Sequence, residues 1–214
     1  MNVELYTDPI PHLILTDVVE EELADSLFKD ALKHKDKFND TTIGINKRTD
    51  NVIRNNKALF LDSLYPKNER DGNLILSTFD KLLRSDKFVQ ILSSSPQPIN
   101  DYMFTNTHET QISMYGSNQK YDWHVDGFNK KRQVTIVYYF KDSGKWNGGE
   151  ILLSNSPIYN SKLMIPNPKI KKIKPIPNSI VVFGGYAAHS VNNTNTSDKF
   201  EECRFSANIW VGVV

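Results

Sequence analysis

One cysteine, Cys203, stands in the whole chain. It has no internal partner for a disulfide, and there is no thiolate cluster to hold a structural zinc, a composition that suits a reducing compartment. Neither sign of charge dominates: 26 Lys and Arg face 25 Asp and Glu, for a net charge of +1. That balance removes any global electrostatic case for nucleic acid or an anionic membrane as partner. Long apolar runs are missing too. Met1 to Pro11 carries acidic residues and an early proline where a secretory signal needs a basic start and an apolar stretch, and no later segment is long enough to span a bilayer. A cytoplasmic protein with no membrane partner is therefore expected. No Gly- or Ser-rich linker divides the chain, so we expect a single domain over residues 1–214. What is present, 39% hydrophobic and 11% aromatic residues, is enough for a substantial core.

Along the chain, a short strand-like start (His12 to Leu15) is followed by Asp17 and Glu20, spaced as a capping box. Leu23, Leu27 and Ala31 then recur at helical spacing, with Ala24, Phe28 and Leu32 beside them. A second helical region is predicted over about Leu74 to Leu92, broken by Ser93 to Pro98. From Met103 onward, short segments rich in Val, Ile, Tyr and Thr alternate with Gly, Asn and Pro turns, the pattern of antiparallel strands. The strongest are Gln111 to Tyr115, Tyr121 to Val125, Val134 to Phe140, Glu150 to Leu153, Ile180 to Phe183 and Arg204 to Val211. The expected fold is mainly β with supporting N-terminal helices (α+β), a sandwich or jelly-roll barrel whose mouth holds a small ligand. Residues 1–100 would give helical support and a lid, and 101–214 the β core. Asn39 to Lys57, and Ser154 to Pro177 with its five prolines, read as loops bordering a substrate groove. The lysine-rich run Lys169 to Lys174 suits either an acidic partner or, more plainly, a solvated edge strand protected by lysines.

His124-Val125-Asp126 has the spacing of the first two ligands of a two-histidine, one-carboxylate iron site. So short a motif arises by chance about 0.6 times in a chain of this composition, and a second copy, His34-Lys35-Asp36, is present. Residues i and i+2 share a face on a strand but lie far apart around a helix. His34 follows the amphipathic helix, whereas His124 lies in a strand, where it and Asp126 point inward together. A third ligand from a distant strand is supplied by His189, in Phe183-Gly184-Gly185-Tyr186-Ala187-Ala188-His189. Taken alone, a histidine there reads as a hydrogen-bonded structural residue; the constellation makes it a ligand. The catalytic and metal-binding residues predicted are thus His124, Asp126 and His189.

Three protein ligands on one face of a six-coordinate iron leave room for a 2-keto acid, which takes two positions, and for dioxygen. The keto acid's far carboxylate then needs a buried cation. Arg204, fifteen residues after His189, opens a strand in which Arg204, Ser206, Asn208 and Trp210 share one face and Phe205, Ala207, Ile209 and Val211 the other. Strand 134–140 splits alike, with Thr135, Val137 and Tyr139 on one face. Tyr139 and Thr135 then offer hydroxyls to the keto acid, although ordinary strand packing explains either residue equally well.

The run Met114-Tyr115-Gly116-Ser117-Asn118-Gln119-Lys120-Tyr121-Asp122-Trp123-His124-Val125-Asp126 resembles the prolyl hydroxylase pattern within the Fe(II)/2-oxoglutarate dioxygenase superfamily. So do Arg132-Gln133-Val134-Thr135-Ile136-Val137-Tyr138-Tyr139-Phe140, ending in Trp146-Asn147-Gly148-Gly149-Glu150, and the closing strand with its basic residue and a tryptophan six positions on. The resemblance covers residues 103 to 212 closely and the N-terminal part loosely. It implies a double-stranded β-helix; Fe(II) held by His124, Asp126 and His189; 2-oxoglutarate held by Arg204 and Tyr139, with Tyr115 and Thr135 as further contacts; O2 as co-substrate and ascorbate as reductant. The implied reaction hydroxylates an unactivated C–H bond, of a prolyl residue in a peptide or protein, releasing succinate and CO2. The segment Arg48 to Lys57 is similar to the substrate-covering loop of oxygen-sensing prolyl hydroxylases, which makes Arg54, Arg132 and Trp210 candidate substrate contacts. The gap from His189 to Arg204 is longer than in most prolyl hydroxylases and leaves Lys199 as a rival anchor; Arg204 is preferred because it starts a strand, whereas Asn192 to Lys199 reads as a polar loop.

The alternatives differ in chemistry. A nucleic-acid demethylase would resemble its relatives in carrying a second arginine where this chain has Trp210. A zinc hydrolase fits the ligand set but gives a buried arginine no purpose. The same oxygenase chemistry on another side chain or a small molecule, or a non-catalytic jelly-roll binding module, completes the set.

Overall fold

A computed structural model describes residues 1–41, 50–66, 68–127, 131–197 and 199–213. The first part of the chain forms β1 (Asn2–Tyr6), β2 (His12–Thr16), α1 (Glu21–Leu32), β3 (Asn39–Asp40), β4 (Lys57–Phe60), α2 (Leu61–Leu64), α3 (Leu74–Arg84) and α4 (Asp86–Ser93). The second part is nearly all strand. It comprises β5 (Thr107–Tyr115), β6 (Gln119–His124), β7 (Arg132–Tyr139), β8 (Asn147–Gly148), β9 (Ile151–Ser154), β10 (Ile158–Tyr159), β11 (Lys162–Leu163), β12 (Ile170–Ile173), β13 (Ser179–Gly184), β14 (Ala188–Asn195) and β15 (Arg204–Gly212). A major sheet in the order β1-β2-β13-β7-β15-β5-β4-β3 faces a minor sheet, β12-β9-β14-β6, with β8 on β14; every pairing is antiparallel. This is the double-stranded β-helix expected of the sequence. Among the described residues, no helix is long and apolar enough to cross a membrane.

The period-2 split of the strands decides where the two cores sit. Val134, Ile136, Tyr138 and Phe140 join Phe205, Ala207, Ile209 and Val211 in a large core shared with Leu27, Ala31, Leu76, Phe79 and Phe88 of the helices. The opposite faces pack a smaller core between the sheets, Val137, Tyr139, Ile151, Leu153, Val181 and Phe183. The site lies in that second layer.

Three local expectations are corrected. The capping box does not form: Asp17 adopts φ 52°, and α1 starts at Glu21 with no side-chain cap bond from Glu20. Asp17 instead accepts from Asn2 Nδ2 at 3.0 Å, while the Asn178 side chain grips Val19, accepting from its N–H at 3.2 Å and donating to its carbonyl at 2.8 Å. These long-range contacts fix the helix entry. The second helical region is two helices, because extended Ser85 ends α3 and caps α4 by accepting from Phe88 N–H at 3.4 Å. Finally, Asn192 to Asn195, read as polar loop, continue β14, which gains β8 as an extra partner. The N-terminal region contributes β1, β2, β3 and β4 to the major sheet besides its helices. Of the predicted covering loop, residues 42–49, Arg48 included, lie outside the described residues.

The lysine-rich run forms the edge strand of the minor sheet. Lys169 pairs with Asp8 at 2.9 Å, Lys172 with Glu150 at 2.9 Å, and Lys171 lies 4.5 Å over the Tyr6 ring. His108 belongs to a network on the outer side of the molecule: Arg70 bonds Asp62, reaches Asp80 with two nitrogens at 3.1 and 2.8 Å, and contacts His108 Nε2 at 2.8 Å. Burial on its own would raise the Asp80 carboxyl, but Arg70 and His108 outweigh it and hold it below the ordinary value. Arg70→Ala leaves two carboxylates half-buried without their cation, and is expected to cost about 3 kcal/mol in urea unfolding. Because the Asp80 pKa is depressed on folding, its contribution is complete above the unfolded carboxylate pKa of about 4 and is lost as pH falls through the folded value. The gap between wild type and the variant therefore narrows in acid, and a gap independent of pH would refute the assignment.

Candidate active site

Strand register brings the first elements together. His189 of β14 lies directly opposite His124 of β6, and their rings are 4.0 Å apart between centroids. Asp126 follows the end of β6, where its own N–H and that of Gly127 both donate to the Gly185 carbonyl at 2.9 and 2.7 Å. Gly185 must be glycine here, since a Cβ would come within 2.3 Å of the Arg132 carbonyl. The Gly184-Gly185 turn that precedes His189 therefore also carries Asp126.

Nε2 of His124, Nε2 of His189 and a carboxylate oxygen of Asp126 lie within 4.8 Å of one another. Asp126 is 3.3 Å from His189 and 4.0 Å from His124. Each imidazole has its other nitrogen on the carbonyl two residues back, His124 Nδ1 on Asp122 at 2.8 Å and His189 Nδ1 on Ala187 at 2.9 Å. A carbonyl accepts only from N–H, which leaves both Nε2 lone pairs free for a metal. Burial, with the neighbouring His189, holds the His124 pKa well below its usual value. Burial would raise the Asp126 carboxyl, but the two histidines and Thr135 outweigh it and push it far below the carboxylate range. A neutral His124 imidazole beside an ionised Asp126 carboxylate suits a divalent ion.

Arg204 is 2% exposed, and its guanidinium lies 4.9 Å from both the Tyr115 and Tyr139 rings, on either side. Its Nη1 donates to Ser206 Oγ at 3.3 Å. Arg204 Nε, Tyr139 Oη and Thr194 Oγ1 are buried polar atoms without a hydrogen-bond partner. A Cβ on Gly149 would meet Arg204 Nε and Thr194 Oγ1 at 3.2 Å each, so the absent side chain leaves those two atoms a shared open space. Buried polar atoms are seldom left unpaired. A carboxylate is the group that satisfies a guanidinium and two hydroxyls at once, so the residues present fit the distal end of 2-oxoglutarate as the triad fits Fe(II). Thr194 and Gly149 were missed in the sequence reading: no spacing rule connects either to Arg204. Thr135, expected on the keto acid, gives its hydroxyl to Asp126 Oδ2 at 2.8 Å instead. Lys199 is exposed and pairs with Glu202 at 3.6 Å, which favours Arg204 as the anchor.

The triad lines one cavity of about 1580 Å³ together with Arg204, Tyr139, Tyr115 and Ser206. Arg132, Trp210 and Phe60 also line it. Arg132 lies 3.7 Å over the Trp210 ring and bonds Glu109 at 2.7 and 3.0 Å. Arg54 is 8% exposed and borders the same cavity. The second His-x-acid motif has no part in this site: His34 packs edge-on to Tyr65 and Asp36 is exposed.

In this jelly roll, two histidines and one carboxylate are gathered so that they could hold a divalent metal. The model of the 2OG-Fe(II) oxygenase superfamily matches residues 110–212. The chain is 33% identical over 108 residues to an uncharacterized PKHD-type hydroxylase of Synechocystis, a match covering 48% of this chain and 35% of that protein. The match thus spans about a third of that relative's length. Among solved structures, a prolyl-4-hydroxylase of Pseudomonas putida aligns over 94% of this chain and 92% of its own with a TM-score of 0.62 and 16% identity. A prolyl hydroxylase of Trichoplax adhaerens, solved with a hypoxia inducible factor peptide fragment, aligns over 94% and 83% with a TM-score of 0.67 and 18% identity. Residues 110–212 thus match the 2OG-Fe(II) oxygenase superfamily, and the chain shares its fold with prolyl hydroxylases. The family implies Fe(II), 2-oxoglutarate and O2 as the reaction's requirements.

Proposed function

We propose that the protein is an Fe(II)- and 2-oxoglutarate-dependent dioxygenase that hydroxylates a prolyl residue of a peptide or protein, releasing succinate and CO2. The observation that carries this reading is the set of orphaned polar atoms around Arg204, which with Tyr139 lines the same cavity as the triad. In this reading His124, Asp126 and His189 hold Fe(II), while Arg204, Tyr139 and Thr194 hold the far carboxylate of 2-oxoglutarate, with Tyr115 packed on the guanidinium. When bound, the iron and keto acid supply the oxidising chemistry for a C–H bond. The chain's own residues fix orientation and dryness: Thr135 holds one oxygen of Asp126, the two backbone carbonyls fix the imidazole tautomers, and the layer of Val137, Ile151 and Leu153 keeps water from the inner end.

A small-molecule pocket typically encloses about 300–1000 Å³, and this cavity exceeds that. The excess, with Phe60, Trp210 and Arg132 along it, suits a peptide entering beside the keto acid, as does the likeness in fold to a hydroxylase solved with a peptide fragment. A zinc hydrolase would leave the Arg204 cluster without purpose. The test is mass spectrometry of a mixed peptide panel, including proline-rich sequences, incubated aerobically with Fe(II), 2-oxoglutarate and ascorbate, with succinate assayed in parallel and His124→Ala as control. One added oxygen on proline, absent in the control, is the expected result. Succinate without peptide oxidation would redirect the search to other substrates, and neither product would refute the iron site.

A further inference from the structure

Charge accounting among the arginines of the cavity leaves one over. Arg132 is matched by Glu109, and Arg204 faces the keto acid in the reading above. Arg54 is nine-tenths buried, yet among the described residues it meets no carboxylate. Its Nε donates to Asn56 Oδ1 at 2.8 Å and Nη2 to Gln111 Oε1 at 3.1 Å, both neutral amides, and Nη1 makes no hydrogen bond to a described residue. Of the carboxylates along the cavity, Asp126 is committed to the triad, Glu109 to Arg132, and Asp36 and Asp40 are exposed and make no ion pair with Arg54. A buried charge without a counter-ion is costly enough that proteins seldom keep one without use.

The position of Arg54 is equally specific. Its guanidinium lies 4.4 Å from the Tyr121 ring, which stacks on the His124 ring at 3.5 Å with a 15° tilt. A backbone bridge between Arg54 and Tyr121 anchors the stack. The spare cation thus sits close behind a metal ligand, held by amides that fix its orientation and leave its charge unspent.

We propose that Arg54 receives a carboxylate of the substrate, carried close to the C–H bond that reacts. The inference rests on the dioxygenase reading for what the cavity binds. Its chemistry is shared by two sources, an acidic side chain next to the reacting residue of a peptide and the α-carboxylate of a free or C-terminal imino acid.

The test reads binding and needs no turnover. Protein loaded with Mn(II) and 2-oxoglutarate is titrated by calorimetry with the capped tripeptides Gly-Pro-Glu, Gly-Pro-Gln, Glu-Pro-Gly and Gln-Pro-Gly, and with L-proline and L-prolinamide. At least one acid is expected to bind about tenfold or more tighter than its amide, the worth of a charge-assisted hydrogen bond. Which pair shows it identifies the source. Arg54→Gln should erase the preference while leaving amide binding unchanged, and Arg54→Lys should restore part of it. Retained Mn(II) binding and an unchanged circular dichroism spectrum establish that the variants are folded. The proposal is overturned if no acid exceeds its amide, or if Arg54→Gln weakens acid and amide alike, as a purely structural arginine would. An acid preference in a protein that oxidises no substrate would leave Arg54's role standing and remove the catalytic reading, so the two fail separately.

Discussion

Asp126→Ala is expected to abolish succinate formation and to lower iron affinity by more than the roughly 10–100-fold that loss of an outer-shell partner costs. The reason is the composition of the site. Without Asp126, two imidazoles remain, each tied at Nδ1 to its own backbone, and the carboxylate beside them is gone. The Thr135 hydroxyl also loses its acceptor. Two nitrogens make a weak, unselective pair, and a hard divalent ion loses its oxygen donor. The measurement is metal content after dialysis against limiting Fe(II), with succinate production in parallel. Thr135→Val provides a graded control: it keeps all three ligands, so its loss should fall within the outer-shell range. An alanine variant that still bound one iron per chain and turned over would place the metal elsewhere.

The second large effect concerns Arg204. Arg204→Gln should weaken 2-oxoglutarate binding by the 2–5 kcal/mol typical of truncating one partner of a buried charge pair, about 30-fold to several thousandfold, with iron binding unchanged. Lysine is a poor substitute, because the space between the Tyr115 and Tyr139 rings accepts a flat guanidinium and an ammonium cannot offer Nε and Nη together. Calorimetry with 2-oxoglutarate on the Mn(II) protein separates binding from turnover. Unchanged affinity in Arg204→Gln, with a loss in Lys199→Gln, would reverse the choice between the two cations.

How far the sequence foretold these features follows the range of the interactions. The triad was legible because strand geometry puts residues i and i+2 on one face, and because a glycine turn announced His189. The division of residues 134–140 and 204–211 into helix-facing and cavity-facing sets was equally legible, since strand alternation is strict. What escaped notice depends on contacts distant in sequence. Asn178 reaches Val19 across 159 residues to set the entry of α1, where local chemistry suggested a capping box. Thr194 enters the Arg204 pocket only because β8 pairs with the end of β14, extending as strand a segment whose Asn and Thr content reads as loop. His108, with no discernible purpose in the sequence, acquires one only when α3 brings Asp80 to it.

The Gly185 carbonyl, which accepts from both Asp126 and Gly127, ties the carboxylate ligand to the turn that launches His189, and His124 is tied to His189 through the sheet. In the proposed iron site, ligands 65 residues apart in sequence would thus behave as the arms of one chelator. The entropy of gathering them is spent when the chain folds, before any ion arrives, so the metal can exchange without the barrel having to rebuild itself around each newcomer.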